Sequence, residues 1–131
     1  MFYRKPMHSQ EVDQARCILV VEDHLGLREL IETILVNAGY RVLTAASADE
    51  AVRIADQRAV DVLLTDLGLP GLNGNDLALR FLAQSQNPRI VLMSGCEPEM
   101  LKPCSADTHF LPKPFTPKAL LAVVSKSLGV K

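Results

Sequence analysis

Cys17-Ile18-Leu19-Val20-Val21-Glu22-Asp23 is the stretch that decides the fold: an unbroken apolar run closed by two carboxylates. A strand with one wet face would alternate, whereas a continuous run of this length reads as a strand covered on both faces, the situation of a parallel sheet. Just downstream, Leu27, Leu30, Ile31, Ile34, Leu35 and Ala38 repeat at i, i+3, i+4, i+7 and i+8 until Gly39, which spells an amphipathic helix with a glycine stop. This strand-helix pairing recurs along the chain. Arg41–Ala45, Val60–Leu64, Arg89–Met93 and Thr108–Leu111 are further β-branched or aliphatic runs, giving five candidate strands.

The helices between them have their own signals. Ser47-Ala-Asp-Glu50 reads as a capping box ahead of inward-facing Ala51, Val52 and Ala55. Leu77, Ala78, Phe81 and Leu82 form a third stripe. Thr116-Pro117 is an N-cap with proline at the first helical position, leading through Leu120, Leu121, Val124 and Leu128 to Gly129. Pro98 and Pro103 bracket Glu99-Met-Leu-Lys102, so the helix that should stand fourth in order is short and irregular. The expected fold is α/β, a single domain with a doubly wound five-stranded parallel sheet and helices on both faces. Residues 1–15, without apolar periodicity, read as a tail or linker, and residues 16–131 as the domain.

Composition narrows the function classes. The chain has 131 residues, 48% of them hydrophobic and 22% charged, which is globular rather than disordered. Fourteen Lys+Arg against 15 Asp+Glu leave a net charge of −1, which argues against direct nucleic-acid binding. No apolar run approaches the roughly 18 residues needed to cross a bilayer. Cys17, Cys96 and Cys104 are an odd number without a CxxC pair, which fits a reducing, cytoplasmic setting.

In an open parallel sheet, ligands bind beyond the carboxyl ends of the strands, where strand order reverses. Here those ends deliver Glu22-Asp23, Asp66, Ser94-Gly95 and Pro112-Lys113-Pro114. With a strand order of 2-1-3-4-5, three carboxylates converge at the reversal and require a cation; an all-oxygen set suits Mg²⁺ better than Zn²⁺. The Lys113 ammonium and Ser94 hydroxyl would neutralise an anion arriving there, so the set describes a phosphoryl site. Taken singly, each of these residues is also an ordinary turn former; their conjunction carries the reading.

From Cys17 to Gly129 the chain resembles the receiver domains of two-component response regulators, whose fold is flavodoxin-like. Glu22-Asp23 resembles the acidic pair, Thr65-Asp66-Leu-Gly-Leu-Pro70-Gly-Leu-Asn-Gly74 the phosphoacceptor loop, Met93-Ser94-Gly95 the switch hydroxyl, and Leu111-Pro-Lys113-Pro114-Phe115 the lysine turn. The resemblance implies that Asp66 accepts a phosphoryl group from a phosphohistidine or a small phosphodonor. It implies Mg²⁺ ligation by Asp23, Asp66 and the Gly68 carbonyl, with Glu22 acting through water. Lys113 would pair with a phosphoryl oxygen, Ser94 and Phe110 would form the switch, and the Lys113–Pro114 bond would be cis. The implied protein is a phosphoacceptor that catalyses its own phosphorylation and dephosphorylation, not an enzyme acting on an external substrate. Its implied partners are a sensor histidine kinase or phosphotransfer protein, and a downstream protein or a further output domain; a homodimer is left open.

The chain departs from the family pattern at three places. Glu22 stands where Asp is commoner, Gly68 carries no side chain to shield a hydrolytic water, and Phe110 lacks the hydroxyl of a tyrosine. His8, His24 and His109 have no metal-ligand spacing, and His24 reads as a loop residue. The rival readings are a flavodoxin-like nucleotide or flavin binder and an unphosphorylated docking module. The first wants a phosphate-binding loop and aromatic residues after the first strand, the second a degraded acceptor site, and the sequence offers neither.

Overall fold

The computed structural model describes residues 15–69, 74–83, 88–95 and 108–129. Five parallel strands, β1 (Cys17–Val21), β2 (Arg41–Ala45), β3 (Val62–Asp66), β4 (Arg89–Ser94) and β5 (Thr108–Pro112), form one sheet in the order β2-β1-β3-β4-β5. Among the described residues four helices accompany them: α1 (Leu25–Asn37), α2 (Ala48–Ala55), α3 (Gly74–Leu82) and α4 (Pro117–Ser127). The short helix expected between β4 and β5 falls outside the described residues.

Side chains of β1 sort by parity onto the two faces. Ile18 and Val20 join Ile31 and Leu35 of α1 and Leu120 and Val124 of α4 in one core. Leu19 and Val21 join Ala51 and Ala55 of α2 and Leu77, Ala78 and Phe81 of α3 in the other. All five β1 residues are buried, which is why the run shows no alternation. Each large aliphatic residue so placed contributes roughly 1.5–3 kcal/mol relative to exposure.

Several boundaries differ from the sequence reading, each for a backbone reason. The third strand runs over Val62–Asp66 rather than Val60–Leu64, because its ladder with β1 opens at the Ile18–Val62 pair and its ladder with β4 extends to Asp66–Met93. Val60 is buried by packing beside the strand. β4 and β5 each run one residue further than read, ending on the Ser94–Pro112 pair. Helix α1 starts at Leu25, two residues before the apolar stripe, since His24 caps it: Nδ1 accepts from the Leu27 N–H at 3.1 Å. Leu30, read as part of the inward stripe, is 53% exposed. It lines the rim of a 420 Å³ apolar groove between α1 and the Lys113-Pro114-Phe115 turn. At α2, Ser47 Oγ accepts from the Glu50 N–H as a capping box requires, but Glu50 reaches one residue past the cap and accepts from Ala46 N–H at 2.8 Å.

Candidate functional site at the carboxyl edge of the sheet

The reversal of strand order between β2-β1 and β3-β4-β5 puts the ends of β1 and β3 side by side, with the turn after β5 closing over them. Glu22 leaves β1 still tied to β2, its N–H donating to Ala45 O at 3.0 Å, and is only 1% exposed. Such a carboxylate needs partners on both oxygens. Lys113 Nζ donates to Oε1 at 3.0 Å and the His24 N–H to Oε2 at 3.1 Å. The Glu22 carbonyl accepts from Arg28 Nη1 at 2.8 Å, so the first turn of α1 grips the loop from behind.

Asp66 is the last residue of β3, and its Oδ1 lies 3.2 Å from Lys113 Nζ. One ammonium therefore bridges carboxylates that come from two strands. Burial alone would lower the Lys113 pKa, but the hydrogen bond to Glu22 and the charges of Asp66 and Glu22 outweigh it and hold the group above the ordinary lysine value. Asp23 completes the cluster from an exposed position: one carboxylate oxygen each of Glu22, Asp23 and Asp66 lies within 4.8 Å of the others. Three hard oxygen donors at this spacing, with Asp23 exposed beside the buried Glu22, fit a divalent cation that keeps waters in its shell.

The surrounding backbone fixes these groups. Leu67 N–H donates to Met93 O at 2.9 Å, anchoring the chain just after Asp66, and Lys113 N–H donates to the carbonyl of buried Ser94 at 2.8 Å. The Lys113–Pro114 peptide bond is cis. Gly68 lies near enough that a Cβ built on it would stand 3.9 Å from Asp66 Oδ2, an ordinary contact. Phe110 sits in the middle of β5 opposite Leu92, half-buried against the α2–α3 core. The structure thus brings Glu22, Asp23, Asp66 and Lys113 into one pocket, links Ser94 to it through the backbone, and sets Phe110 along β5 behind it. Sequence reasoning missed Arg28 and the capping role of His24. Their signal was positional: a side-chain acceptor one residue before a helix, and a cation one turn inside it.

Fold and pocket together define an α/β protein with an acidic, lysine-bridged site at its switch point. Residues 18–125 match the family model described as response regulator receiver domain, and the chain belongs to that family, the phosphoryl-accepting signalling domains of two-component systems. It is 31% identical to sporulation initiation phosphotransferase F of Bacillus subtilis over 118 residues, 87% of this chain and 94% of that protein. It is 31% identical to the DNA-binding transcriptional regulator NtrC of a Bradyrhizobium strain, of which it spans 25%. Among solved structures, the chemotaxis response regulator CheY4 of Vibrio cholerae superposes with a TM-score of 0.81 at 30% identity, covering 88% of this chain and all (100%) of that one. The flavin-binding alternative is not favoured, since Glu22-Asp23-His24 occupies the loop where such a binder needs a phosphate-holding turn. No helix among the described residues is long and apolar enough to cross a membrane.

Proposed function

We propose that Asp66 is the phosphoryl acceptor, receiving the group from a phosphohistidine of a sensor histidine kinase or phosphotransfer protein in the cytoplasm. The observation that carries this reading is the Lys113 ammonium lying within 3.2 Å of Asp66 Oδ1 and 3.0 Å of Glu22 Oε1 beside exposed Asp23. Phosphoryl transfer asks a protein mainly for positioning and charge neutralisation, and this pocket is made of groups that supply them. An Asp66 oxygen forms the new P–O bond as the donor's P–N bond breaks and the imidazole departs with its electron pair. Asp23, Asp66 and the Gly68 carbonyl would hold Mg²⁺, with Glu22 contributing through water. Bound there, the cation screens the charge of the incoming group.

Lys113 is already positioned by Glu22, so when Asp66 is modified its ammonium stays at hand for a phosphoryl oxygen. Ser94, one backbone hydrogen bond from Lys113, would donate its hydroxyl to another, and Phe110 would repack as the β4 end moves. The result is a changed interaction surface for a downstream protein or an output domain. Residues 16–131 act as this unit, with 1–15 as a tail. It is a self-modifying acceptor and not an enzyme on an external substrate.

The test is incubation with Mg²⁺ and acetyl phosphate followed by intact mass. One added phosphoryl group is expected in the wild type and none in Asp66→Asn. Label persisting in Asp66→Asn would overturn the assignment.

A further inference from the structure

Helix α1 begins against the rules that α2 obeys. In α2 the Ser47 cap is followed by Asp49 and Glu50, carboxylates where the positive end of the helix dipole favours them. The first turn of α1 has no acid, a glycine at its second position and, at Arg28, a cation that the same dipole disfavours. Local helix chemistry does not account for these residues, and their partners lie in the loop before the helix. Arg28 Nη1 donates to the Glu22 carbonyl at 2.8 Å, and the Arg28 N–H donates to the His24 carbonyl at 3.0 Å. The His24 N–H donates to Glu22 Oε2 at 3.1 Å, while His24 Nδ1 accepts from the Leu27 N–H. Gly26 leaves room for the imidazole, since a Cβ built on it would stand 3.3 Å from His24 Cε1.

We infer that Arg28 is a positioning residue for the divalent-cation site, with His24 and Gly26 completing a latch on the loop; the inference rests on the phosphoryl-accepting reading of the pocket. The carbonyl that Arg28 holds belongs to the planar Glu22–Asp23 peptide, so fixing the oxygen fixes the plane from which Asp23 departs. Asp23 depends on this more than Glu22 does. Glu22 is buried and has Lys113 and the His24 N–H on its two carboxylate oxygens. Asp23 is exposed, and among the described residues no hydrogen bond or ion pair holds its carboxylate, so the backbone beneath it sets its direction. The half-buried Arg28, with its rigid planar fork, suits holding one oxygen in place. Acting through charge alone, a guanidinium so near would instead repel a divalent cation and weaken its binding. Position and charge therefore predict opposite effects of removing Arg28.

The experiment measures Mg²⁺ binding to the full chain by calorimetry, with labelling by acetyl phosphate as a second readout. Arg28→Met keeps an apolar stem and removes the donor; it should lower Mg²⁺ affinity about tenfold, the usual effect of losing a group that orients a metal ligand. Its labelling should need about tenfold more Mg²⁺ for half the maximal rate, yet reach the wild-type rate at saturation. Arg28→Lys keeps a charged donor and should stay within about threefold of the wild type. Gly26→Ala crowds His24 and should lower Mg²⁺ affinity about threefold, although alanine favours a helix more than glycine does, so a weakened helix is not the cause. Unchanged or tighter Mg²⁺ binding by Arg28→Met would overturn the proposal, as would a labelling rate that stays low at saturating Mg²⁺. If Arg28→Met fails to fold, Gly26→Ala decides, and wild-type affinity there overturns the latch. Failure of the phosphoryl reading shows separately, as a wild type whose Mg²⁺ affinity depends on Arg28 but which takes no label.

Discussion

The carboxyl and amino edges of one sheet collect charge in opposite ways. At the carboxyl edge, Glu22 is 1% exposed and shares Lys113 with Asp66 at 3.0 and 3.2 Å. At the amino edge, Arg16 and Asp61 are 3.9 Å apart with side chains 56% and 42% exposed. The first cluster is desolvated, so each charge depends on the others and the set is poised for a cation and an anion. The Arg16–Asp61 pair is half-exposed and screened by water, so it is weakly coupled. The same sheet therefore carries a tightly coupled charge cluster at one end and a loosely coupled ion pair at the other, and burial is what separates them.

Substitutions at the two ends should reveal that asymmetry, beginning with complete loss. Asp66→Asn should abolish phosphoryl labelling by acetyl phosphate, while the Arg41→Gln, Arg89→Gln double variant labels at the wild-type rate; slowed labelling in the latter would mean the edges are coupled. Asp23→Asn should weaken Mg²⁺ binding at least about tenfold by calorimetry, as loss of a direct ligand must, and unchanged binding would remove Asp23 from the metal site. Lys113→Met leaves Glu22 buried without its counter-charge and should cost about 2 kcal/mol in urea unfolding at neutral pH, less than a fully enclosed pair because Lys113 is partly exposed. The raised Lys113 value fixes the sign of the pH dependence. A cation favoured in the folded state stabilises fully below the ordinary lysine value of 10.5, and that stability is lost as pH rises through the higher folded value. The gap between wild type and Lys113→Met should therefore close only in strong alkali; a gap that closes near neutrality would assign it to another group. Asp61→Ala removes the acceptor of the Cys17 N–H and should cost about 1 kcal/mol, whereas Arg41→Gln should stay within about 0.5 kcal/mol. A cost for Arg41→Gln matching that of Lys113→Met would erase the contrast between the two edges.

Much of this was legible before any coordinates. The unbroken β1 run called for a sheet covered on both faces, and Ile18 and Leu19 do point into separate cores. The carboxylates at the ends of β1 and β3 and the lysine after β5 could be named as a group because open parallel sheets gather ligands at that rim. Helix starts were less legible. His24 caps α1 with an imidazole nitrogen, a role that Ser, Thr, Asp and Asn usually fill, so nothing in its type announced it. Leu30 fitted the periodic stripe but sits where the stripe meets the Pro114-Phe115 turn, and periodicity carries no information about where a neighbouring layer ends. The two-residue shift of β3 has the same origin: Val60 is apolar through packing, while the ladder begins where β1 provides its partners.

Periodicity, turn chemistry and residue type are local properties, and the sequence by itself determined with them the alternation of strands and helices, the two-sided cover and the residue types at each strand end. Pairing across 91 positions, as between Lys113 and Glu22, is not local. The tertiary structure alone decided that one ammonium would bridge two carboxylates, that Arg28 would hold the Glu22 carbonyl, and that Arg16 and Asp61, far apart in the chain, would pair at the other edge. The reason is physical: strand order sets which ends meet, and burial sets how strongly the charges brought there feel one another.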